Sequence, residues 1–233
     1  RCFFSRTPMA INRGLNLNHI WIVVSAFPIL LCGVLFAVKG SPHPAIHDEF
    51  SYLFAADTFA HGRLANPAHP LWRHFETFDV LSQPTMSSRK PPGQGLFLAL
   101  GQLLAGAPIA GVLLGILLAL GAIYWMLLGW VEPPWALLGA ALAATHPLIF
   151  SWSTSYWGGG VALLGGALAL GSWKRILVSP SMAMSAVFAL SLAVLANSRP
   201  FEGLVLAVLL TAVLSWQVTQ RTWPWRVSAI KIM

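Results

Sequence analysis

Charge is what this sequence is short of. Only 9% of its 233 residues are Asp, Glu, Lys or Arg, against 57% hydrophobic. Soluble domains carry about 25% charged residues, so an evenly solvated surface is excluded. A mean hydropathy of +0.70, with 11 Trp and 20 Gly, suits an integral membrane protein. Cysteine is nearly missing too. Cys2 and Cys32 cannot build a disulfide framework, and Cys32 lies inside an apolar run. Acidic residues are half as many as basic ones, and the net charge is +7. The cations are spread over short loops, so they read as orientation signals of membrane spans, and no nucleic-acid partner is expected. From Pro91 to Trp173 the only formal charge is Glu132.

The missing polar chemistry is gathered in one stretch, Ser41–Leu104. Five of the seven carboxylates lie there (Asp48, Glu49, Asp57, Glu76, Asp79), with His43, His47, His61, His69 and His74 and the cations Arg63, Arg73, Arg89 and Lys90. The rest is apolar runs: 20–38, 93–106, 108–130, 135–152, 158–173, 182–197 and 203–218. The first follows Arg1, Arg6 and Arg13 without an obvious small-x-small cleavage site, so it reads as a retained span with its N-terminus in the cytoplasm. The run 93–106 is short for a crossing and reads as re-entrant. That choice keeps Lys174, Arg175, Arg221, Arg226 and Lys231 on the side of the N-terminal arginines, as the positive-inside rule prefers.

The expected architecture is therefore all-α and integral to the membrane, with six transmembrane helices plus amphipathic and half-helices in a large first outer loop. Residues 1–19 form a cytoplasmic segment and 20–219 the transmembrane domain, with loop 40–107 outside. Residues 220–233 are a cytoplasmic tail or the start of a further region, and the chain reads as a fragment. The loop 40–107, the turn 151–160 and the turn 198–203 should then emerge on one, non-cytoplasmic face.

Within the loop, Phe50, Leu53, Phe54 and Ala60 recur at helical spacing, predicting an amphipathic helix on the membrane surface. Asp48 and Glu49 in its first turn are either dipole-matched caps or functional acids. Residues 66–84 show no regular period and read as an ordered, irregular loop. Their histidines match no compact zinc pattern, while Glu76 stands among aromatics. Arg89-Lys90-Pro91-Pro92-Gly93 places two cations at a helix start, which is a physical anion site or a snorkelling pair. Tyr156 and Ser153, in the turn 151–160, are candidate sugar contacts, beside interfacial Trp152 and Trp157. Arg199 and Glu202 stand at the junction of two spans, either paired with each other or facing a ligand.

HDEFSY, RKPPGQG, SYWGGG and NSRPFEG, in this order, resemble the membrane glycosyltransferases of the GT-C fold, nearest to family 39 with its protein mannosyltransferases and the related aminoarabinose transferases. The resemblance implies an inverting transferase that takes sugar from a polyprenyl-phosphate donor on the outer face of a membrane, here a bacterial inner (plasma) membrane. It implies Asp48 as base with Glu49 beside it, and Lys90 with Arg89 at the lipid phosphate. Glu76, Tyr156, Arg199 and Glu202 become further substrate-binding candidates. A divalent cation, Mg or Mn, would sit on Asp48 and Glu49. Arg89 stands where some relatives have Glu, which weakens a metal assignment there. Sugar and acceptor stay unassigned. The other classes open to this composition are a polytopic transporter or lipid flippase, disfavoured by the lack of an internal repeat, and a non-catalytic membrane subunit.

Overall fold

The computed structural model describes residues 17–220; the expectations for most of the N-terminal segment and for the tail from 221 lie outside them. Among the described residues, four helices are long and apolar enough to cross a membrane: Ile20–Lys39 within α1 (Leu17–Lys39), α4 (Pro108–Leu127), α7 (Gly159–Val178), and Pro200–Gln217 within α9 (Pro200–Gln220). A fifth candidate is a broken one. The run expected as a single helix over 135–152 is instead α5 (Pro133–Ala144) and α6 (Pro147–Ser153), bent by 57°. Pro147 supplies the reason: it lacks an N–H and disfavours helical backbone at His146 before it. The segment α8 (Met182–Ala196) has 15 residues, below the length of a straight crossing.

The helix directions follow from close approaches. Ile116 lies against Gly160 and Trp125 against Gly171, so α4 and α7 run parallel. Leu195 lies against both Gly165 and Gly203, so α8 returns antiparallel to α7 and α9 reverses again. Trp21 of α1 stacks on Tyr124 near the end of α4, with ring centroids 6.0 Å apart. Tyr156 Oη, just before α7, donates to Pro42 O, just after α1, at 3.0 Å. The starts of α4, α7 and α9 and the end of α1 therefore share one end of the bundle. At the other end, Lys174 lies over the Trp130 ring (4.7 Å) and Arg175 over Trp125 (3.9 Å).

Between α1 and α4 the chain stays at the first end. Helix α3 (Pro92–Ala105) folds back on α4 rather than traversing the bundle, and it matches the short apolar run expected there. Two glycines permit this: a Cβ on Gly101 would fall into the Gly111 backbone, and one on Gly111 into the Phe97 carbonyl. Helix α2 (His47–Ala60) forms where the apolar spacing predicts a helix. Its Phe50 is 55% exposed, and its buried residues are Glu49, Ser51, Tyr52, Ala55, Ala56 and Thr58. It packs on α3 by small side chains, with Ala55 and Phe59 against Gly95. An apolar stripe facing lipid is not the packing face here.

The irregular loop is a small sheet. Strands β1 (Asn66–Pro67), β2 (Val80–Leu81) and β3 (Thr85–Ser88) pair in the order β1-β3-β2, both pairs antiparallel, with Val80 opposite Ser88. Two-residue strands are too short for an alternating sequence pattern to register.

Candidate functional site

The hairpin β2–β3 brings Asp79 and Lys90 together, one just before β2 and the other just after β3. Arg89 N donates to Asp79 O at 2.9 Å and extends the ladder by one bond. Ser51 Oγ, from the buried face of α2, donates to the same carbonyl at 2.7 Å and meets Ser88 Oγ at 2.7 Å, and Lys90 N donates to Ser88 Oγ at 3.1 Å. This hydroxyl network fixes the hairpin against α2, whose first turn carries Asp48.

Lys90 Nζ then stands 2.7 Å from Asp48 Oδ1 and 3.0 Å from Asp79 Oδ1. The cluster is half-sheltered, the three side chains being 19–32% exposed. Its formal charge is −1, from two carboxylates and one ammonium. Hydrogen bonding from Lys90 holds the Asp48 carboxyl below the usual carboxylate range, with a smaller contribution from Trp157. Burial pulls the Lys90 ammonium down, but Asp48 and Asp79 outweigh it and raise it overall. Burial pushes the nearby Tyr52 phenol up, partly offset by Arg199 and then Lys90.

Glu49, one residue on, faces away and is 4% exposed. Its Oε2 accepts from Ala45 N (2.8 Å) and Ile46 N (3.3 Å), closing the N-terminus of α2. Its Oε1 accepts from Tyr156 N at 2.8 Å, across 107 residues of chain. Gln94 Nε2 donates to Tyr156 O at 3.1 Å, and Gly93 N donates to Asn197 O at 2.6 Å. The loop 40–107, the turn 151–160 and the turn at 198–203 therefore meet at one end of the bundle. Tyr156 serves as the knot: its N–H, carbonyl and hydroxyl all carry bonds, and the side chain is buried. Burial, then Glu49, raises its phenol pKa.

The other candidates are more peripheral. Arg89 is exposed, with Nη1 donating to Phe78 O at 3.0 Å. Glu76 is exposed and joins no ion pair with a described residue. Arg199 and Glu202 approach each other at 3.9 Å on the surface, a loose pairing across one helical turn. Beyond Lys90 lies a cavity of about 290 Å³, lined by Ala55, Thr58, Phe59, Leu64, Ser87, Ser88, Lys90 and Pro92. That volume is close to the lower bound of small-ligand sites.

The donor set does not fit a divalent cation. Glu49 spends both oxygens on backbone N–H groups, and the space between Asp48 and Asp79 is filled by an ammonium. Among the described residues no three His, Cys, Asp or Glu side chains gather as for a metal. The sequence reading did not single out Asp79, Ser51, Ser88, Tyr52 or Gln94. Asp79 was visible only as one of five carboxylates, because its partner Lys90 is eleven residues away across a hairpin that carries no pattern. No protein-family model, curated protein or solved structure matches this chain.

Proposed function

We propose that this chain is a membrane glycosyltransferase that moves a sugar from a polyprenyl-phosphate donor to an acceptor hydroxyl. The observation that carries the reading is the Asp48–Lys90–Asp79 cluster, set where three chain segments meet at one end of an apolar bundle. Glycosyl transfer from a lipid phosphate needs a carboxylate to take the proton of the attacking hydroxyl, and positive charge where the phosphate departs. Asp48 and Lys90 are those two groups, side by side. In the step, the acceptor oxygen bonds to the anomeric carbon, the carbon–phosphate oxygen bond breaks, the hydroxyl proton passes to Asp48, and the phosphate leaves with the bonding pair. The apolar wall of Ala55, Phe59, Leu64 and Pro92 beside Lys90 suits the first isoprene units behind such a phosphate.

In this reading α1, α4, the bent pair α5–α6, α7, α8 and α9 make six crossings, with α3 re-entrant. The alternating helix directions and the Lys174–Arg175 pair at the end opposite the cluster support that arrangement. Transport is the weaker alternative, because transporters set their charged sites near mid-depth, whereas this cluster is at the end of the bundle. The test is transfer of radiolabelled sugar from polyprenyl-phosphate donors in membranes carrying the protein. Asp48→Asn should lower the initial rate at saturating donor by about 10²–10⁴-fold, the contribution of general base catalysis, while a cooperative melting transition in detergent is retained. Wild-type rates in that variant would remove the base and with it the reading.

A further inference from the structure

Among the described residues, Lys90 is the only cation paired with Asp48 or Asp79. Its ammonium has three N–H donors and two face carboxylates, so a phosphate that takes more than one of them displaces a partner. The two partners are not equivalent. Asp79 and Lys90 flank the same hairpin, and the Asp79 carbonyl is pinned from both sides, by Arg89 N at 2.9 Å and Ser51 Oγ at 2.7 Å. Lys90 is itself held through its N–H on Ser88 Oγ. The Asp79–Lys90 spacing is thus built into one rigid unit. Asp48 comes from a different element, the first turn of α2, and is the more exposed of the pair, at 32% against 19%.

We propose that Asp79 is the positioning residue that keeps Lys90 in place, and that Asp48 is a latch, displaced from Lys90 when a lipid phosphate binds. The inference rests on the glycosyltransferase reading for its choice of ligand. It adds an order of events: the anion takes the ammonium, and the same exchange releases Asp48 as a free carboxylate facing the acceptor. While latched, Asp48 is a weak base because Lys90 holds its proton affinity down. Donor binding and base activation are then one step.

The sign of the effect distinguishes a latch from a residue that holds Lys90 ready for the phosphate. If Asp48 competes with the ligand, removing its charge strengthens binding. Two unlike charges about 4 Å apart in water-like screening attract by enough that giving up the Asp48–Lys90 pair costs about fivefold in affinity. Asp48→Asn should therefore bind a short-chain polyprenyl phosphate in detergent about fivefold more tightly than wild type at pH 7. Asp48→Ser should change in the same direction.

For Asp79 the readout is the alkaline limb of binding. Among the described residues, the charged groups paired with Lys90 are Asp48 on α2 and Asp79 before β2; the Tyr52 phenol on α2 feels the charge of Lys90 and that of Arg199, just before α9. Asp79 helps to keep Lys90 protonated, so Asp79→Asn should lose phosphate binding at lower pH than wild type. Tyr52→Phe controls for the phenol and should leave the limb in place. Unchanged or weaker binding in both Asp48 variants overturns the latch, and an unmoved limb in Asp79→Asn overturns the positioning role. If the binding shifts occur but no sugar is transferred by wild type, the latch stands and the transferase reading falls. If wild type transfers sugar but the shifts are missing, the reverse holds.

Discussion

Glu49 is 4% exposed and accepts three backbone N–H groups, whereas Asp48, one residue earlier, is about one-third exposed and meets a cation. One step along a helix turns the side chain by roughly 100°, so neighbours in sequence face different surroundings. The acidic pair was legible in the sequence, but not its division into a member that holds backbone N–H groups and one that meets a cation. Glu49→Gln keeps the shape and loses the charge, so one amide N–H₂ must face backbone donors. Hydrogen bonds to a charged group contribute about 1.5–3 kcal/mol each, and the variant should lose at least that much stability in denaturant titration. A loss of transfer without a loss of stability would show that Glu49 acts chemically after all. Lys90→Met should behave differently, because it leaves two carboxylates facing one another. Its stability deficit should follow the titration of the cluster. Lys90 has a raised pKa, so its contribution is full below the unfolded value of about 10.4 and is lost as pH rises through the folded value. Asp48 has a lowered pKa, so its contribution is present above about 3.9 and is lost as pH falls through the folded value. The melting-temperature gap between wild type and Lys90→Met should be widest between these limits and narrow at both ends. A gap independent of pH would assign the loss to packing.

At the scale of elements, long apolar helices were readable because about 20 apolar residues in a row leave few alternatives in a chain with so little charge. The break at Pro147 also has a signal in the sequence, and the expectation of one continuous span ignored it. The hairpin that supplies Asp79 and Lys90 has no such signal: its strands are two and four residues long and are held by hydroxyls from α2. Helix α2 was legible as a helix, but the face it packs with was not. Its exposed Phe50 and buried Ser51, Ala55 and Ala56 reverse the usual sense of an amphipathic helix, because close approach to α3 rewards small side chains. Where backbones approach this closely, one carbon matters. A Cβ on Gly93 would stand 2.6 Å from Asn197 O, where Gly93 N now donates. Gly93→Ala should open the junction between α3 and the turn before α9. It should cost about 1–3 kcal/mol, as for overpacking, and lower transfer by displacing Lys90 three residues upstream. Unaltered stability and rate in Gly93→Ala would mean that the α3 start is free to shift.

For the whole molecule, the decisive matter is how many times the chain crosses. Helix α8 spans only about 22 Å at 1.5 Å per residue, against a hydrocarbon core of about 30 Å. Yet Gly165 and Gly203 both meet Leu195, and the Trp173 indole donates to Leu210 O at 2.9 Å. These contacts fix α8 as the return stroke between α7 and α9. In the proposed six-span arrangement, so short a crossing is completed by residues just beyond its ends or by local thinning of the bilayer. Labelling needs positions whose side chains reach solvent at the ends of the bundle. Phe78 is 83% exposed in the loop 40–107, Phe201 is 75% exposed at the start of α9, and Ser179 is exposed after α7. With Cys2 and Cys32 replaced by Ala, single Phe78→Cys and Phe201→Cys variants should react with an impermeant thiol reagent added outside intact cells. Ser179→Cys should react only after permeabilisation. If Phe201→Cys labels from inside with Ser179→Cys, then α8 does not cross, and the turn before α9 cannot share a face with the Lys90 cluster. Their hydrogen bond, Gly93 N to Asn197 O, requires that shared face, so the two observations stand or fall together.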